Sequence, residues 1–321
     1  AEIQSFKTVA SQFEFRKQMI LDFLNENKFD MKLLDAICGR GGINRPLASG
    51  TYLVNDLMIH ELKEAIRGEH ASNLGSILAS EIANPLGIPA YTVDPVVVDE
   101  MEDIARISGM PLIQRQSIFH ALNHKAIARR VSRDVGKRYE DLNLLLVHMG
   151  GGISIGVHRK GRVIDVNDAL DGDGPMSPER SGTVPLGPLY KMCFSGKYSL
   201  QEITRMNYGK GGLVAYLGSS DAREVVKRIE AGDKYAKLVY DAMIYQIAKE
   251  IGAASTVLCG EVDYIILTGG LAYEPYLTTE LPKRIKFIAP ILIYPGENEM
   301  LSLAQGAMRV LNGQEIPKNY E

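Results

Sequence analysis

A chain of 321 residues is longer than one hydrophobic core usually supports, so its length favours two domains. Its composition, 45% hydrophobic and 23% charged, is that of an ordinary globular protein and excludes a disordered chain or a repeat array. Lysine and arginine total 36 against 39 acidic residues, and this near balance argues against a nucleic-acid partner.

The cysteines and the apolar runs bear on the cellular compartment of the protein. Cys38, Cys193 and Cys259 lie far apart and never in C-x-x-C spacing, which argues against a disulfide framework and a zinc site. A reducing, cytoplasmic setting is therefore expected. No apolar run approaches the roughly 18 residues of a membrane span, and no signal segment opens the chain, so no membrane partner is predicted.

The first part of the chain is predicted to be mostly helical. PAYTVD, Pro89–Asp94, has the pattern of a buried strand that ends at a carboxylate. His120 is expected on the face of a long helix, beside Phe119. The spacing of apolar residues predicts helices over 12–27, 57–67, 73–81 and 114–135.

The second part predicts a mixture of strands and helices. The segments NLLLVHM, ISIGVHRKG and RVIDVN are separated by short turns and predict an antiparallel ribbon. Lys234–Leu258 is strongly helical in pattern. DYIILTGG, a helix, a strand over Arg284–Tyr294 and a helix over Glu299–Leu311 are predicted to form a strand-helix-strand-helix unit typical of an α/β sheet.

Three glycine-rich turns are each expected to follow a strand: His148–Gly152, Gly209–Gly212 and Leu267–Ala272. Consecutive glycines let backbone N–H groups converge on anionic oxygens, so three such turns favour a phosphate site, although a tight turn explains any one of them. The P-loop motif is absent, and no G-x-G-x-x-G opens a helix, which leaves a dinucleotide Rossmann site unsupported.

Polar residues near these turns are candidates for chemistry. Arg40 and Arg180 lie in predicted loops, where a guanidinium fork suits a carboxylate or a phosphate. Asp94 ends a strand, where a carboxylate can hold Mg²⁺ through water. His120 and His148 accompany them, but lone histidines in such places are more often structural, and a solvated loop position is the simpler reading of each charged residue.

Six short blocks in a fixed order resemble the acetate kinase family. They are FH and HK within Phe119–Lys125, HMGGGISI, RSG at Arg180–Gly182, SSDAR at Ser219–Arg223, LTGG, and NE at Asn298–Glu299. The segments GEHASN, VDPVVVDEMEDIAR, DALDGDGP, RSGT and GGLVAYLG resemble the butyrate kinase branch of that family, over nearly the whole chain.

This resemblance implies an α/β fold of two actin-like (ribonuclease H-like) domains with ATP in a cleft between them. The N-terminal domain is expected to be residues 1–113 plus 300–321, and the nucleotide-binding domain residues 114–299. The implied reaction is the reversible, ATP-dependent phosphorylation of a short-chain carboxylate such as butyrate. The implied cofactors are ATP or ADP and Mg²⁺, and the implied assembly is a homodimer or a larger homo-oligomer.

The resemblance also implies roles for single residues. Arg40 and Arg180 match the arginines that hold the carboxylate and the transferring phosphoryl group, and His120 matches the transition-state histidine. Asp94 and Glu299 match the acids that bind Mg²⁺ directly or through water. The positions that match nucleotide-binding segments are His148, Gly150, Gly151, Gly152, Asp221, Ala222, Arg223, Gly269, Gly270 and Leu271.

The chain departs from the family pattern at two places. Acetate kinases carry Asn where Gly151 stands, so phosphate contact is expected to rely more on backbone N–H groups. Family members also open with a strand that carries an N-x-G-S-T-S-T-K type motif, and nothing in Ala1–Asp35 resembles it. We therefore expect the sequence to lack an N-terminal segment with the first strands.

Other functions remain open on the residues alone. A kinase for branched-chain or other short-chain acids would use the same residues. A sugar kinase would need a carboxylate base, for which Asp94 is the candidate. An ATP-driven switch would not require the paired arginines, and a binding module without nucleotide would not be stabilised by ATP.

Overall fold

The computed structural model describes residue 6 and residues 8–321, and the chain divides into two compact units. One unit runs to Asp99 and includes Asn298–Glu321, and the other is Glu100–Glu297. Residues 100–113, which the sequence analysis assigned to the N-terminal domain, pack with the second unit. Residues 1–5 and 7 of that predicted domain lie outside the described residues.

The described part of the chain contains both helices and strands. The helices are α1 (Phe13–Glu26), α2 (Asp56–Lys63), α3 (Asn73–Ala83), α4 (Asp103–Arg106), α5 (Ala121–Asp134), α6 (Leu186–Cys193), α7 (Leu200–Asn207), α8 (Gly212–Leu217), α9 (Ala222–Glu230), α10 (Lys234–Val257), α11 (Pro275–Ile285) and α12 (Glu299–Leu311). The strands are β1 (Ile37–Gly39), β2 (Thr51–Leu53), β3 (Ala90–Val93), β4 (Asn143–Met149), β5 (Ile153–Arg159), β6 (Arg162–Val166), β7 (Tyr264–Gly269) and β8 (Ile291–Pro295). Within residues 6 and 8–321, no helix combines the length and the apolar character that crossing a membrane requires.

The first unit is built on a three-stranded sheet with the order β1-β3-β2. Strand β1 pairs with β3 in parallel, and β2 pairs with β3 in antiparallel fashion. Helices α3 and α12 pack against this sheet, and buried side chains such as Tyr52, Met58 and Ile77 form the core. The carboxyl ends of the parallel strands β1 and β3 lead directly to Arg40 and Asp94, so both lie at one edge of the sheet.

The second unit is built on a five-stranded sheet with the order β6-β5-β4-β7-β8. Strands β4, β5 and β6 form an antiparallel ribbon, as predicted, while β4, β7 and β8 are parallel. Both faces of β4 are buried because its side chains alternate between two clusters. Leu145 and Val147 pack toward α10, and Leu144 and Leu146 pack with α5. This double burial explains the unbroken apolar run in the sequence.

The long helix predicted over Gln114–Val135 is wrong at its start, because α5 begins only at Ala121. Arg115 donates hydrogen bonds to the Asp165 carboxylate and to two backbone carbonyls, and these contacts hold the preceding segment in a non-helical path. His120 is therefore the N-cap residue of α5 and does not lie on the helix face. Long-range polar contacts have overridden the local apolar periodicity.

The strand predicted within Arg284–Tyr294 is also wrong over its first half. Helix α11 continues to Ile285, and β8 occupies only Ile291–Pro295. Leu281 and Ile285 are one helical turn apart and both are buried, so the helical period decides this segment. The helices predicted at 12–27, 57–67 and 73–81 are confirmed, with shifted ends.

Candidate functional site

The turn between β4 and β5 consists of Gly150–Gly152 and is closed by a hydrogen bond from the Gly150 N–H to the Gly152 carbonyl, 2.9 Å long. The loop that carries Arg180 is fastened to this turn. The Ser177 hydroxyl and the Glu179 N–H both donate to the Gly151 carbonyl, at 2.6 Å and 3.1 Å. The structure thus brings the predicted phosphate turn and the predicted phosphoryl-binding arginine together.

The Arg180 side chain lies against the third glycine of the turn. Its guanidinium contacts the carbonyl of Ala169, while the backbone N–H of Arg180 donates to Ser177 Oγ at 3.1 Å. A Cβ atom at Gly152 would overlap the guanidinium, so only glycine leaves room for Arg180 in this position. Gly152 therefore provides the space that the Arg180 guanidinium occupies.

The turn at Gly209–Gly212 was predicted to follow a strand and bind phosphate, and the predicted strand is wrong. The turn joins α7 to α8. The N–H groups of Gly209 and Gly211 donate to the Glu179 carbonyl, at 2.7 Å and 3.2 Å. These two glycine N–H groups therefore already have an acceptor, and they stabilise the loop that carries Arg180.

Three of the predicted cofactor-binding segments line a cavity of about 670 Å³ in the second unit. Its size suits a drug-sized or nucleotide ligand. The residues that line it are Gly150, Gly151, Pro178, Glu179, Ser220, Asp221, Ala222, Arg223, Val226, Lys227, Glu230, Gly270, Leu271, Tyr273, Glu274 and Pro275. Gly269 ends β7 beside the Met149 backbone, outside this lining.

One wall of the cavity is the first turn of α9. Asp221 is its N-cap residue and accepts a hydrogen bond from the Arg223 N–H at 2.9 Å. The hydrogen bonds from the Arg223 guanidinium and backbone lower the pKa of Asp221 to about 2, so this carboxylate is ionised. Lys227, which the sequence analysis missed, lies one helical turn after Arg223. The i, i+4 spacing from the SSDAR block was the available signal.

Two candidate histidines lie face to face behind the glycine turn. The rings of His120 and His148 stack with their centres 3.9 Å apart and their planes at 19°. His148 is 1% exposed, and its Nε2 lies 3.1 Å from Glu297 Oε1 without hydrogen-bond geometry. Within the described residues neither ring nitrogen of His148 has a hydrogen-bond partner. Because a buried unpaired polar group costs about 1–3 kcal/mol, this arrangement favours a bound ligand that completes the hydrogen bonds.

Two further histidines, which sequence reasoning missed, lie deeper in the second unit. His124 and His158 are fully buried. Burial, reinforced by the other histidines, holds the pKa of His124 well below its ordinary value of 6.5. Burial and the nearby Lys125 and Arg129 do the same for the pKa of His158. Both imidazoles are therefore neutral in the folded protein.

This neutrality predicts that the protein loses stability in mild acid. A histidine whose pKa is lower in the folded than in the unfolded state binds its proton preferentially when unfolded, below about pH 6.5. Each such group lowers the free energy of unfolding by up to about 1.4 kcal/mol per pH unit as the pH falls. Denaturant titrations from about pH 7 to about pH 5 measure this slope. A flat profile over this range would contradict neutral buried histidines.

The first unit contains the remaining candidates. Asp94 is 1% exposed and directly follows β3, and its Oδ1 accepts hydrogen bonds from the Ser49 hydroxyl at 2.6 Å and the Gly50 N–H at 2.8 Å. Arg40 follows β1 and forms an ion pair of 3.1 Å with Glu299 at the start of α12. Both members of this pair are partly exposed, at 43% and 33%, and so remain accessible to small ligands.

Comparison with known proteins places these features in a family. The chain matches the acetokinase family over residues 110–281. It is 54% identical to a probable butyrate kinase of Clostridium botulinum over 319 residues, which cover 99% of this chain and 90% of that protein. It is 54% identical to butyrate kinase 1 of Clostridium acetobutylicum over 320 residues, with 100% and 90% coverage.

Solved structures support the same fold. The acetate kinase of Porphyromonas gingivalis superposes with a TM-score of 0.82 at 22% identity, covering 92% of this chain and 84% of that one. A propionate kinase of Francisella tularensis superposes with a TM-score of 0.76 at 22% identity, with 90% and 82% coverage. The predicted α/β, actin-like fold class is confirmed. The family match and the near full-length identity to its relatives lead to one conclusion: the chain belongs to the acetokinase family.

Proposed function

We propose that the protein is an ATP-dependent kinase that converts butyrate and ATP reversibly to butyryl phosphate and ADP. The relatives that are 54% identical over nearly the whole chain carry the name butyrate kinase, which supports this acceptor. The structural observation that carries the proposal is the cavity of the second unit. It gathers segments around Gly150, Asp221 and Gly270 that resemble the nucleotide-binding segments of the family.

The reaction needs no general base. A short-chain carboxylic acid has a pKa near that of a glutamate side chain, about 4.3, so it is an anion at neutral pH. One carboxylate oxygen forms a bond to the γ-phosphorus of ATP while the bond from that phosphorus to the bridging oxygen breaks. ADP leaves with the bond's electrons, and no proton has to move. The protein's task is to position two anions and to neutralise charge.

The candidate residues fit that task. Arg180, whose loop is fastened to the glycine turn through Ser177, would donate to oxygens of the transferring phosphoryl group. His120 would donate a further hydrogen bond there, with the stacked His148 beside it. Arg40 would bind the acceptor carboxylate, which requires that it exchange its exposed partner Glu299 for the substrate.

Mg²⁺ fits the chemistry of the two candidate acids. Among the described residues, no group of three metal-binding side chains occurs. Mg²⁺ in kinases commonly takes only one or two carboxylates, together with water and substrate phosphates. Asp94 and Glu299 supply such oxygens and would hold the ion directly or through water. When bound, the ion would neutralise phosphate charge.

We also propose that the enzyme is cytoplasmic and forms a homodimer or larger homo-oligomer. The cysteines at 38, 193 and 259 are free thiols, which suits a reducing compartment. The oligomer rests on the family resemblance alone. Sedimentation equilibrium of the purified protein tests it, and a monomer at working concentration would contradict it.

Trapping of the acyl phosphate tests the proposed function. Incubation with butyrate, MgATP and hydroxylamine is expected to yield butyryl hydroxamate, because hydroxylamine captures the acyl group. Omission of butyrate or MgATP should abolish the signal. Absence of hydroxamate from every acid of two to six carbons would refute the proposal.

A side chain placed inside the cavity is expected to block ATP. A Cβ atom at Gly270 would meet no heavy atom within 4 Å, so the Cβ of Gly270→Val has open space and its two methyl groups add bulk beside the cavity. ATP at 100 times its dissociation constant stabilises the parent protein by about 2.7 kcal/mol. A tenfold loss of affinity reduces this to about 1.4 kcal/mol at the same concentration, and thermal unfolding measures the difference.

The matched control is Gly109→Val. Gly109 also has open space around it but lies outside the cavity, so this variant should keep the full stabilisation by ATP. Equal ATP stabilisation of both variants would mean that the nucleotide binds elsewhere.

A further inference from the structure

A continuous line of polar groups runs from His120 into the interior of the second unit. Ser154 Oγ lies 3.0 Å from His120 Nδ1 and 2.9 Å from His124 Nε2. His124 Nδ1 lies 3.2 Å from His158 Nε2, and His158 Nδ1 lies 2.6 Å from the Tyr139 hydroxyl. Each of these pairs is within hydrogen-bond distance, so the line connects a candidate catalytic histidine to a buried tyrosine.

The sequence of β5 places the residues that this line needs. Ser154, Gly156 and His158 alternate along β5 and therefore share one face of the sheet. A Cβ atom at Gly156 would lie only 2.7 Å from His124 Nδ1, so glycine alone leaves room for that ring beneath the strand. A glycine in a strand interior weakens the strand, and here the space for His124 accounts for its presence.

The hydrogen bonds along this line must all be donated in the same direction. His124 and His158 are neutral because burial lowers the pKa of both. A neutral imidazole has one N–H donor and one bare acceptor nitrogen, and the Ser154 hydroxyl has one proton to donate. Each neutral imidazole therefore donates to one neighbour and accepts from the other. When the Ser154 hydroxyl accepts from His124, its single proton can be donated to His120, so the group at the far end decides the order.

Tyr139 decides the direction. A phenol is a good donor to a neutral imidazole nitrogen, and the bond of 2.6 Å to His158 is short for such a pair. The Lys125 ammonium, which also pairs with Glu100 at 2.6 Å, lies 5.6 Å from the centre of the Tyr139 ring, and a cation at this position favours donation by the phenolic O–H. Tyr139 therefore donates to His158 Nδ1.

The remaining bonds follow from this first one. His158 Nε2–H donates to His124 Nδ1, and His124 Nε2–H donates to Ser154 Oγ. The Ser154 hydroxyl then donates to His120 Nδ1. His120 keeps its own proton on Nε2, the nitrogen that does not face Ser154.

We propose that this line holds His120 in the tautomer that carries its proton on Nε2, so that His120 presents a hydrogen-bond donor to the transferring phosphoryl group. The role rests on the proposed function, in which His120 contacts that group. The opposite tautomer would direct the Nε2 lone pair at the anionic phosphoryl oxygens. The hydrogen bond that stabilises the transition state would then be lost. Tyr139, His158, His124 and Ser154 are positioning residues, since they act through His120.

The test removes the oxygen at the far end of the line. Tyr139→Phe keeps the ring and leaves His120 untouched, so a merely structural role predicts lower stability with normal turnover. The proposal predicts that kcat falls on the order of tenfold, with KM for ATP and butyrate unchanged, because the donor is lost in a fraction of molecules. Nitrogen-15 NMR of histidine-labelled protein should show the His120 proton on Nε2 in the parent and a tautomer mixture in the variant.

Tyr320→Phe is the matched control, because Tyr320 is also buried and donates to a carboxylate, that of Glu61, in the other unit. It should lose stability and keep kcat. Ser154→Ala, which breaks the link next to His120, is the second variant and should repeat the loss of kcat. Normal kcat in both line variants, or a parent His120 with its proton on Nδ1, would overturn the proposal. If the parent makes no acyl phosphate, the proposed function fails, and the NMR result alone still decides the tautomer.

Discussion

Replacing Arg180 by alanine is expected to lower kcat by about 100- to 1000-fold, the usual effect of removing one preorganised donor from a transition state. The loop that carries Arg180 is fastened to the glycine turn through Ser177, and the guanidinium contacts the Ala169 carbonyl, close to where phosphoryl oxygens are proposed to lie. Arg180 is absent from the lining of the cavity in which we propose that ATP binds, so ATP affinity should change little. Steady-state kcat and KM, together with ATP binding by calorimetry, measure the two effects separately.

Two variants serve as controls for Arg180→Ala. Arg180→Lys keeps the charge but loses the planar fork, so it should recover only part of kcat. Arg130→Ala removes a half-exposed arginine of the same unit and should leave kcat unchanged. Equal losses of ATP affinity and turnover in Arg180→Ala would contradict the assigned role.

Gly152→Ala is expected to reduce turnover nearly as much as Arg180→Ala, although it adds only a methyl group. The new Cβ would overlap the Arg180 guanidinium, which must move away from the turn. A misplaced donor loses most of its value in the transition state, because catalysis depends on preorganised geometry. We expect a loss in kcat on the order of 100-fold, with ATP binding retained.

The control for this substitution is Gly252→Ala. Gly252 lies within α10, and a Cβ atom there would meet nothing within 4 Å. Alanine in a helix interior is favoured over glycine by about 0.5–1 kcal/mol, so this variant should be slightly more stable and fully active. If Gly152→Ala also kept full activity, the packing of Arg180 against the turn would have no catalytic importance.

The sequence was informative where local pattern and local structure agree. The apolar runs on either side of Gly150–Gly152 predicted the β4–β5 ribbon, because each strand is short, regular and bounded by turn residues. The residues at 221–223 and 270–271 were assigned to a nucleotide site by resemblance, and the structure places them around one cavity with Gly150 and Gly151. Their roles there remain predictions.

The sequence was uninformative where contacts between distant residues determine the local structure. The start of α5 depends on the hydrogen bonds of Arg115 to residues far along the chain. The Gly209–Gly212 turn resembled a phosphate loop, but its N–H groups are used by the Glu179 carbonyl, a contact that no local pattern reports. The line from His120 to Tyr139 combines a helix with a neighbouring strand, and single histidines gave no sign of it.

The most direct test of the account is kcat/KM for acetate, propionate, butyrate, isobutyrate and a hexose, measured with MgATP under the same conditions. We predict acyl phosphate formation with a maximum at butyrate. One methylene more or less should change kcat/KM by about 10- to 200-fold, the range that an apolar pocket provides. No transfer to any carboxylate, or faster transfer to the hexose hydroxyl, would contradict the account.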